Sequence, residues 1–164
     1  MIINLDPIFN TEGCCEEFSF DLDLSDESFA GGKPFRAPAL VKGKIYNSVG
    51  IAKLEAEADL ELSTECDRCA KVLSVPLTAN VNHTLVRTLN NDDNDEFILV
   101  EDAQLNLDEL VREDIFLQLP NKFLCSDDCK GLCPTCGKDL NEGPCSCKKE
   151  VDPRLAVLQQ LLDD

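Results

Sequence analysis

The sequence predicts an α+β fold: a mainly antiparallel β sheet or partly closed β barrel, one packed helix, and a zinc-stabilised C-terminal segment ending in a short helix. Three observations predict it. Apolar and polar residues alternate over most of residues 39–87, apolar residues recur at helical spacing in residues 106–118, and cysteines lie in close pairs near the C-terminus. The 164 residues can form one main core. We assign residues 1–120 to a β-rich domain and residues 121–164 to a cysteine-rich segment packed with it as one unit.

The first strands are short. MIINL and EEFSFDLDL predict one strand each, the second because its phenylalanines and leucines alternate with polar residues. The linker SFAGGKPFRAP follows. ALVKGKIYNS then predicts a third strand, which ends at a turn formed by Val49 and Gly50.

The clearest strand is KLEAEADLELSTEC, where apolar residues from Leu54 to Leu62 occupy one face and acidic residues the other. The stretch KVLSVPLTANVNHTLVRTL predicts its partner strand. Pro76 indicates a bulge or an edge position in that partner, because proline cannot donate a backbone hydrogen bond. The intervening CDRC is therefore predicted to lie at a hairpin tip.

The last elements begin with NNDDNDE, a predicted loop, and FILVE, a short strand. NLDELVREDIFLQLP predicts a helix that Asn106 or Asp108 could cap and that Pro120 ends. Four apolar residues should face the core: Leu107, Leu110, Val111 and Ile115. DPRLAVLQQLL predicts a closing helix with Asp152 at the N-cap and Pro153 at the first helical position.

The charge is strongly acidic, with a formal value of −17. Seven acids and no base lie in residues 12–27, and ten acids with one base lie in residues 90–114. Residues 28–54 carry bases and no acid: Lys33, Arg36, Lys42, Lys44 and Lys53. The overall charge argues against a nucleic-acid binder with a global basic surface and favours a basic partner.

The compartment follows from the N-terminus and the cysteines. MIINLDPIFN lacks the features of a signal peptide, and no stretch is apolar for the roughly 18 residues of a spanning helix. We therefore expect a cytoplasmic protein with no membrane partner. Thiols stay reduced there, so ten cysteines point to metal binding rather than disulfides.

Eight cysteines form the candidate metal ligands. They are Cys66, Cys69, Cys125, Cys129, Cys133, Cys136, Cys145 and Cys147. A CxxC loop can supply two corners of a tetrahedron around Zn²⁺. Apolar residues are few between residues 120 and 150, so metal binding is the simplest compensation for the entropy of ordering this segment. We expect two structural Zn²⁺ ions.

The partition of the ligands allows two arrangements. In the favoured one, the first site has Cys66, Cys69, Cys125 and Cys129, and the second has Cys133, Cys136, Cys145 and Cys147. In the alternative, one site has Cys125, Cys129, Cys133 and Cys136, and the CDRC pair joins the CSC pair.

Other chemistries fit less well. Cys129, Cys133 and Cys136 have the CxxxCxxC spacing that holds an iron–sulfur cluster in radical-SAM enzymes, but those enzymes are much larger α/β barrels. Thioredoxin-like chemistry needs a βαβ setting that the sequence lacks. A redox-switched zinc chaperone remains an alternative. Cys14 and Cys15 are interpreted as ordinary, partly buried thiols, and His83, on the apolar face of its strand, as a core residue rather than a ligand. Without a catalytic constellation we expect no enzyme and no small-molecule substrate.

Four segments carry a resemblance to a known family: LSTECDRC, the acidic helix ending in LP, CKGLCPTCGKDLNEGPCSC, and DPRLAVLQQL. Together they resemble the YceD family of large ribosomal RNA subunit accumulation proteins, from the Leu54 strand to the end of the chain. The resemblance implies a cytoplasmic, non-enzymatic factor needed for normal levels of large-subunit rRNA, with a genomic association to a ribosomal protein. Some family members keep the CxxC hairpin and lack the later pairs, which implies that the second site is separable.

Two functional hypotheses follow. The first is an assembly factor that binds a basic ribosomal protein or a precursor of the large ribosomal subunit, as the acidic blocks suggest. The second is direct binding of 23S rRNA. It would use the basic stretch from Lys33 to Lys53, including Arg36, Lys42 and Lys44, and the tail lysines Lys130, Lys138, Lys148 and Lys149. The acidic excess favours the first, since it would repel phosphate.

Overall fold

A computed structural model describes residues 1–29, 31–88 and 97–147. Its elements are β1 (Ile2–Asn4), α1 (Asp6–Asn10), β2 (Cys15–Leu22), β3 (Ala39–Ser48), β4 (Ile51–Glu65), β5 (Val72–Val86), β6 (Phe97–Leu99), β7 (Gln104–Asn106) and α2 (Leu107–Gln118). The chain divides into two compact units. The first comprises Met1–Glu65 and Val72–Phe123, and the second joins Cys66–Lys71 to the chain that starts at Leu124.

The main sheet has five strands in the order β2-β3-β4-β5-β6. All neighbours are antiparallel except β5 and β6, which pair in parallel, and β1 and β7 form a separate antiparallel pair. The prediction of an α+β fold with a mainly antiparallel sheet is confirmed. In the described residues the sheet does not close into a barrel, because β2 and β6 lie at opposite edges and do not pair.

The long hairpin of β4 and β5 follows the sequence pattern closely. Its register is continuous from Ala52 opposite Leu85 to Glu65 opposite Val72. Pro76 lies opposite Glu61 without a bulge. Among the described residues, β6 pairs with β5 only at residues 84–86, so Pro76 lies on a stretch of β5 that has one strand neighbour there. No backbone donor is needed on its open side. The edge prediction for Pro76 is therefore confirmed and the bulge alternative was wrong.

The β3–β4 hairpin shows how local sequence shapes the sheet. Its turn residues Val49 and Gly50 both have positive φ, of 54° and 80°, as hairpin turns require. Gly43 on β3 faces Ala56 on β4, and a Cβ built on Gly43 would lie 2.4 Å from the Ala56 Cβ atom. The strands can adopt this close approach only because residue 43 has no side chain.

The core lies between one face of the sheet and α2. The predicted apolar face of β4 is buried from Leu54 to Leu62, and all four apolar residues expected to face inward on α2 are buried. His83 on β5 lies 2.6 Å from Asp114 on α2, measured from Nε2 to Oδ2. Gln118 accepts a hydrogen bond from the Asn80 backbone N–H and donates one to its carbonyl oxygen. These contacts fix α2 against β5.

Two elements were not predicted, and the expectation of one packed helix was wrong. α1 forms in DPIFN, where the Asn4 side chain accepts the Asp6 N–H and Pro7 lies in the first turn. Strand β7 is only three residues long and pairs with β1. Asn106 occupies the cap position of α2 without a side-chain capping bond, and the Leu107 N–H donates instead to the Met1 carbonyl oxygen.

Two predictions fall outside the described residues: the NNDDNDE loop and the closing helix DPRLAVLQQLL. Within the described ranges, neither helix has the length and apolar composition that crossing a membrane requires. The described part of the second unit has little regular structure, with one isolated bridge between Leu132 and Asp139.

Candidate metal centres

The first cysteine pair lies on the loop between β4 and β5, as predicted. This loop is closed by two hydrogen bonds of 2.8 Å, from the Cys66 N–H to the Lys71 carbonyl and from the Ala70 N–H to the Cys66 carbonyl. Ala70 adopts a left-handed backbone with φ of 56°. The chain thereby turns tightly enough to place Cys66 and Cys69 side by side.

The CPTCGK turn repeats this arrangement. The Cys133 N–H donates to the Lys138 carbonyl and the Gly137 N–H donates to the Cys133 carbonyl, both at 2.8 Å. Gly137 has φ of 72° and occupies the position equivalent to Ala70. Glycine adopts this conformation without steric cost, whereas alanine does not.

The first cluster joins the hairpin tip to the start of the tail. The sulfurs of Cys66, Cys69, Cys125 and Cys129 all lie within 4.8 Å of one another. The Sγ atoms of Cys66 and Cys129 are 3.8 Å apart, and those of Cys69 and Cys125 are 3.6 Å apart. A tetrahedron with metal–sulfur distances of about 2.3 Å has sulfur–sulfur edges of about 3.8 Å. The spacing therefore fits four thiolates around one Zn²⁺.

The second cluster is local to the tail. Its members are Cys133, Cys136, Cys145 and Cys147, again with all sulfurs within 4.8 Å of one another. The Cys133 and Cys145 Sγ atoms are 3.4 Å apart. Cys136 is exposed, whereas the first cluster has three buried members. The second cluster is the more accessible of the two.

The clusters consist of the two cysteine sets that the favoured partition predicted. The alternative partition does not form in the described residues. None of the ten cysteines, all of which lie within the described ranges, forms a disulfide. Binding of Zn²⁺ by these residues stays a prediction.

In each cluster the pKa is lowered for some thiols and raised for others. Burial raises the pKa of Cys66, but hydrogen bonds from the backbone amides of Arg68 and Cys125 outweigh it and bring the pKa to about 6. The Lys71 amide lowers the pKa of Cys69, but burial and neighbouring thiols raise it to about 12. Several thiols crowded together cannot all ionise unless a cation offsets their charge.

The second cluster shows the same division. Backbone amides of Cys136 and Thr135 lower the pKa of Cys133 to about 6. The neighbouring Cys136 sulfur, together with burial, raises the pKa of Cys147 to about 12. A divalent cation would relieve this repulsion in either cluster.

Two residues around the first cluster were not singled out from the sequence. Arg68 donates to the backbone carbonyls of Cys129 at 2.7 Å and Asp127 at 3.2 Å. The Asn141 side chain donates to the Cys129 Sγ at 3.4 Å and thereby lowers the pKa of that thiol, against the effect of burial. Spacing rules identify ligands and carry no signal for such outer contacts.

The predicted basic residues do not form a separate basic face on the sheet. Lys44 pairs with Glu55 at 3.2 Å, and Lys42 lies opposite Glu57 in the register. Lys33 pairs with Asp26, also at 3.2 Å. Acids therefore accompany the basic stretch that looked acid-free in sequence.

Three further predicted basic residues, Arg36, Lys130 and Lys138, are exposed. Arg36 lies between β2 and β3. Lys138 donates from Nζ to the Pro144 carbonyl at 3.0 Å, and the Lys130 backbone N–H donates to Asn141 Oδ1 at 2.8 Å. In the tail, Lys148 and Lys149 lie outside the described residues.

Three residues interpreted as structural lie outside both clusters. Cys14 is half-buried, as expected, whereas the expectation of a partly buried Cys15 was wrong, because this residue is exposed at the start of β2. His83 points to the inner face of the sheet, as expected, and its ring pairs with Asp114. None of the three contributes to a candidate metal centre among the described residues.

Comparison with known proteins shows a family model over most of the chain. The model described as Large ribosomal RNA subunit accumulation protein YceD matches residues 54–162. The uncharacterized protein YlbN of Bacillus subtilis is 30% identical over 133 residues, which cover 77% of this chain and 75% of that protein. No solved structure matches the chain significantly.

Other relatives are longer than this chain. An uncharacterized protein of Mycobacterium tuberculosis is 32% identical over 102 residues, covering 60% of this chain and 49% of its own length. The maize protein named Large ribosomal RNA subunit accumulation protein YCED homolog 1, chloroplastic, is 24% identical, covering 72% of this chain and 51% of that protein. The chain thus spans about half the length of these two relatives.

Proposed function

The chain belongs to the YceD family, and from this premise we propose that it is a non-enzymatic, zinc-binding factor in large ribosomal subunit biogenesis. It supports the synthesis, processing or stability of 23S rRNA by binding a basic ribosomal protein or a pre-ribosomal particle. The family description and the name of the maize relative both refer to accumulation of large-subunit rRNA, which supports the ribosomal part of the proposal.

The proposal of zinc binding is supported above all by the two four-cysteine clusters. Four thiolates at tetrahedral spacing suit Zn²⁺. A metal held by four protein sulfurs has no open position for water or substrate, so it serves structure rather than catalysis. Metal bound here would offset the thiolate repulsion and order a segment that has few apolar residues.

The preference for a basic partner rests on the charge of the sheet. Glu55 accepts hydrogen bonds from Tyr46 and Lys44, and these lower its pKa. The same Glu55 contact raises the pKa of Lys44. Since Lys42 also faces Glu57 across the strands, the basic stretch is largely neutralised and the formal charge of −17 dominates long-range attraction.

A capture experiment with matched charge variants tests the partner. The immobilised protein is exposed to cell extract at low salt, with and without nuclease, and bound ribosomal proteins and 23S rRNA precursors are measured. One variant converts three exposed acids on β4 to amides: Glu57→Gln, Asp59→Asn and Glu61→Gln. The control removes two positive charges from the adjacent strand, Lys42→Gln and Lys44→Gln.

The two hypotheses predict opposite outcomes. A basic protein partner gives nuclease-resistant capture that weakens in the acid-to-amide variant and not in the lysine variant. Direct rRNA recognition gives salt-sensitive, sub-micromolar binding of rRNA fragments by the protein alone, which the lysine variant weakens. That second result would overturn the proposed partner.

A further inference from the structure

One side chain links the two clusters. Asn141 lies in the loop between the ligands Cys136 and Cys145 of the second cluster. Its side-chain amide nevertheless donates to the Sγ atom of Cys129, a member of the first cluster, at 3.4 Å. The residue that touches one candidate centre is therefore carried by the loop of the other.

The orientation of this amide is fixed by its other contacts. Asn141 Oδ1 accepts the Lys130 backbone N–H at 2.8 Å, next to Cys129. Nδ2 also donates to Asp139 Oδ1 at 2.8 Å. With its oxygen held by a backbone donor, the amide must present its N–H side to the sulfur.

Backbone contacts connect the same segments. The Leu140 N–H donates to the Gly131 carbonyl at 2.9 Å, and the Leu132 N–H donates to the Arg68 carbonyl at 3.0 Å. A Cβ on Gly131 would lie 2.9 Å from that Arg68 oxygen, so the chain passes close to the hairpin tip. A continuous set of contacts thus runs from the first CxxC turn to the loop of the second cluster.

We propose that the two centres bind metal as a coupled pair, with Asn141 as the positioning residue that couples them. Metal in the second centre orders the loop from Gly137 to Cys147, which holds Asn141 against Cys129 and strengthens binding in the first. The loop is then ordered when the first metal ion binds, so the second ion binds without a further entropic cost for this loop. By reciprocity, metal in the first centre strengthens the second by the same factor. This inference rests on the metal binding proposed above.

The test measures Zn²⁺ affinity by competition with a chromophoric chelator, and Co²⁺ absorption reports thiolate ligation at each centre. The first variant removes the second centre, Cys145→Ser with Cys147→Ser. The second is Asn141→Ala, and the third combines all three changes. Asn121→Ala, which removes an exposed amide outside both clusters, is the matched control.

Coupling through Asn141 predicts a specific pattern. The first centre loses about 10-fold in affinity in either variant, as for other contacts to metal ligands, and the combined variant loses no more than either alone. Asn121→Ala stays at the wild-type value. Affinities within twofold of wild type without the second centre, or losses that multiply in the combined variant, would overturn the coupling.

A second substitution separates the contact to sulfur from the anchoring of the loop. Asn141→Asp keeps an oxygen for the Lys130 N–H but removes the donor to Cys129. It should weaken the first centre at least as much as Asn141→Ala, and wild-type affinity would refute the assigned role. Wild-type protein that binds two Zn²⁺ independently refutes only the coupling, whereas protein that binds none refutes the proposed metal centres as well.

Discussion

The two CxxC turns provide a matched test of backbone strain. They share the same pair of closing hydrogen bonds, but the left-handed position holds Ala70 in one and Gly137 in the other. Alanine in this conformation costs roughly 1 kcal/mol more than glycine. A Cβ on Gly137 would meet no heavy atom within 4 Å, so Gly137→Ala isolates the backbone cost from any clash.

The expected effects have opposite signs. Gly137→Ala should lower the free energy of unfolding of the zinc-loaded protein, and the Zn²⁺ affinity of the second centre, by about 1 kcal/mol, or roughly fivefold in affinity. Ala70→Gly should raise both for the first centre by up to the same amount, reduced by the greater entropy of glycine in the unfolded chain. Guanidinium denaturation and chelator competition measure the two quantities.

The control is Gly32→Ala, at a glycine without positive φ and with open space around its Cβ position. It should be neutral or slightly stabilising, because alanine restricts the unfolded chain. Tighter or unchanged Zn²⁺ binding in Gly137→Ala would refute the conclusion that residue 137 must be glycine because its backbone is left-handed.

Three further predictions concern the metal, the sheet and pH. Elemental analysis of reductively purified protein should give about two Zn²⁺ per chain, and chelation should abolish hydrogen-exchange protection in the tail while the sheet stays protected. Gly43→Ala should destabilise the protein by about 3 kcal/mol in denaturant, because the new Cβ overlaps Ala56 and backbone atoms. Because the folded protein lowers the pKa of Glu55, the Glu55 carboxylate contributes stability above its unfolded pKa, and this contribution is lost as pH falls through the folded pKa. In Glu55→Gln, the free energy of unfolding should therefore fall less steeply with decreasing pH than in the wild type.

The sequence predicted the fold well where a period extends over many residues. The alternation in β4 spans the whole strand and correctly indicated which face is buried. α1 and β7 were missed because, at five and three residues, they are too short to show a period of their own. β1 and β6 are as short as β7, but they lie in the apolar stretches MIINL and FILVE. The formation of α1 and β7 depends on tertiary partners, as when Ile8 on α1 is fully buried in the core. The parallel pairing of β6 likewise depends on packing that no local pattern records.

For the candidate centres, the sequence predicted the ligands but not how they group or what surrounds them. CxxC, CxxxC and CxC spacing named all eight cysteines, since short loops constrain the sulfurs strongly. Grouping Cys66 with Cys129 joins residues 63 positions apart, which spacing alone left open between two partitions. The contact from Asn141 had no sequence signal, because one asparagine in a polar loop resembles any other. For Lys44 the sequence was misleading in the other direction. It lies in a segment without acids, but it pairs with Glu55 on the neighbouring strand.

The separation of the ligands also distinguishes the two centres thermodynamically. A link between Cys66 and Cys129 closes a loop of 63 residues, whereas one between Cys133 and Cys145 closes a loop of 12. The closure entropy scales as 1.5 RT ln n, so the first link restricts the unfolded chain by about 1.5 kcal/mol more. Metal in the first centre would therefore act as a cross-link between the loop Cys66–Lys71 and the start of the tail. Metal in the second would order only its own loop, and its influence on the rest of the chain would pass through Asn141 and the backbone bonds beside it.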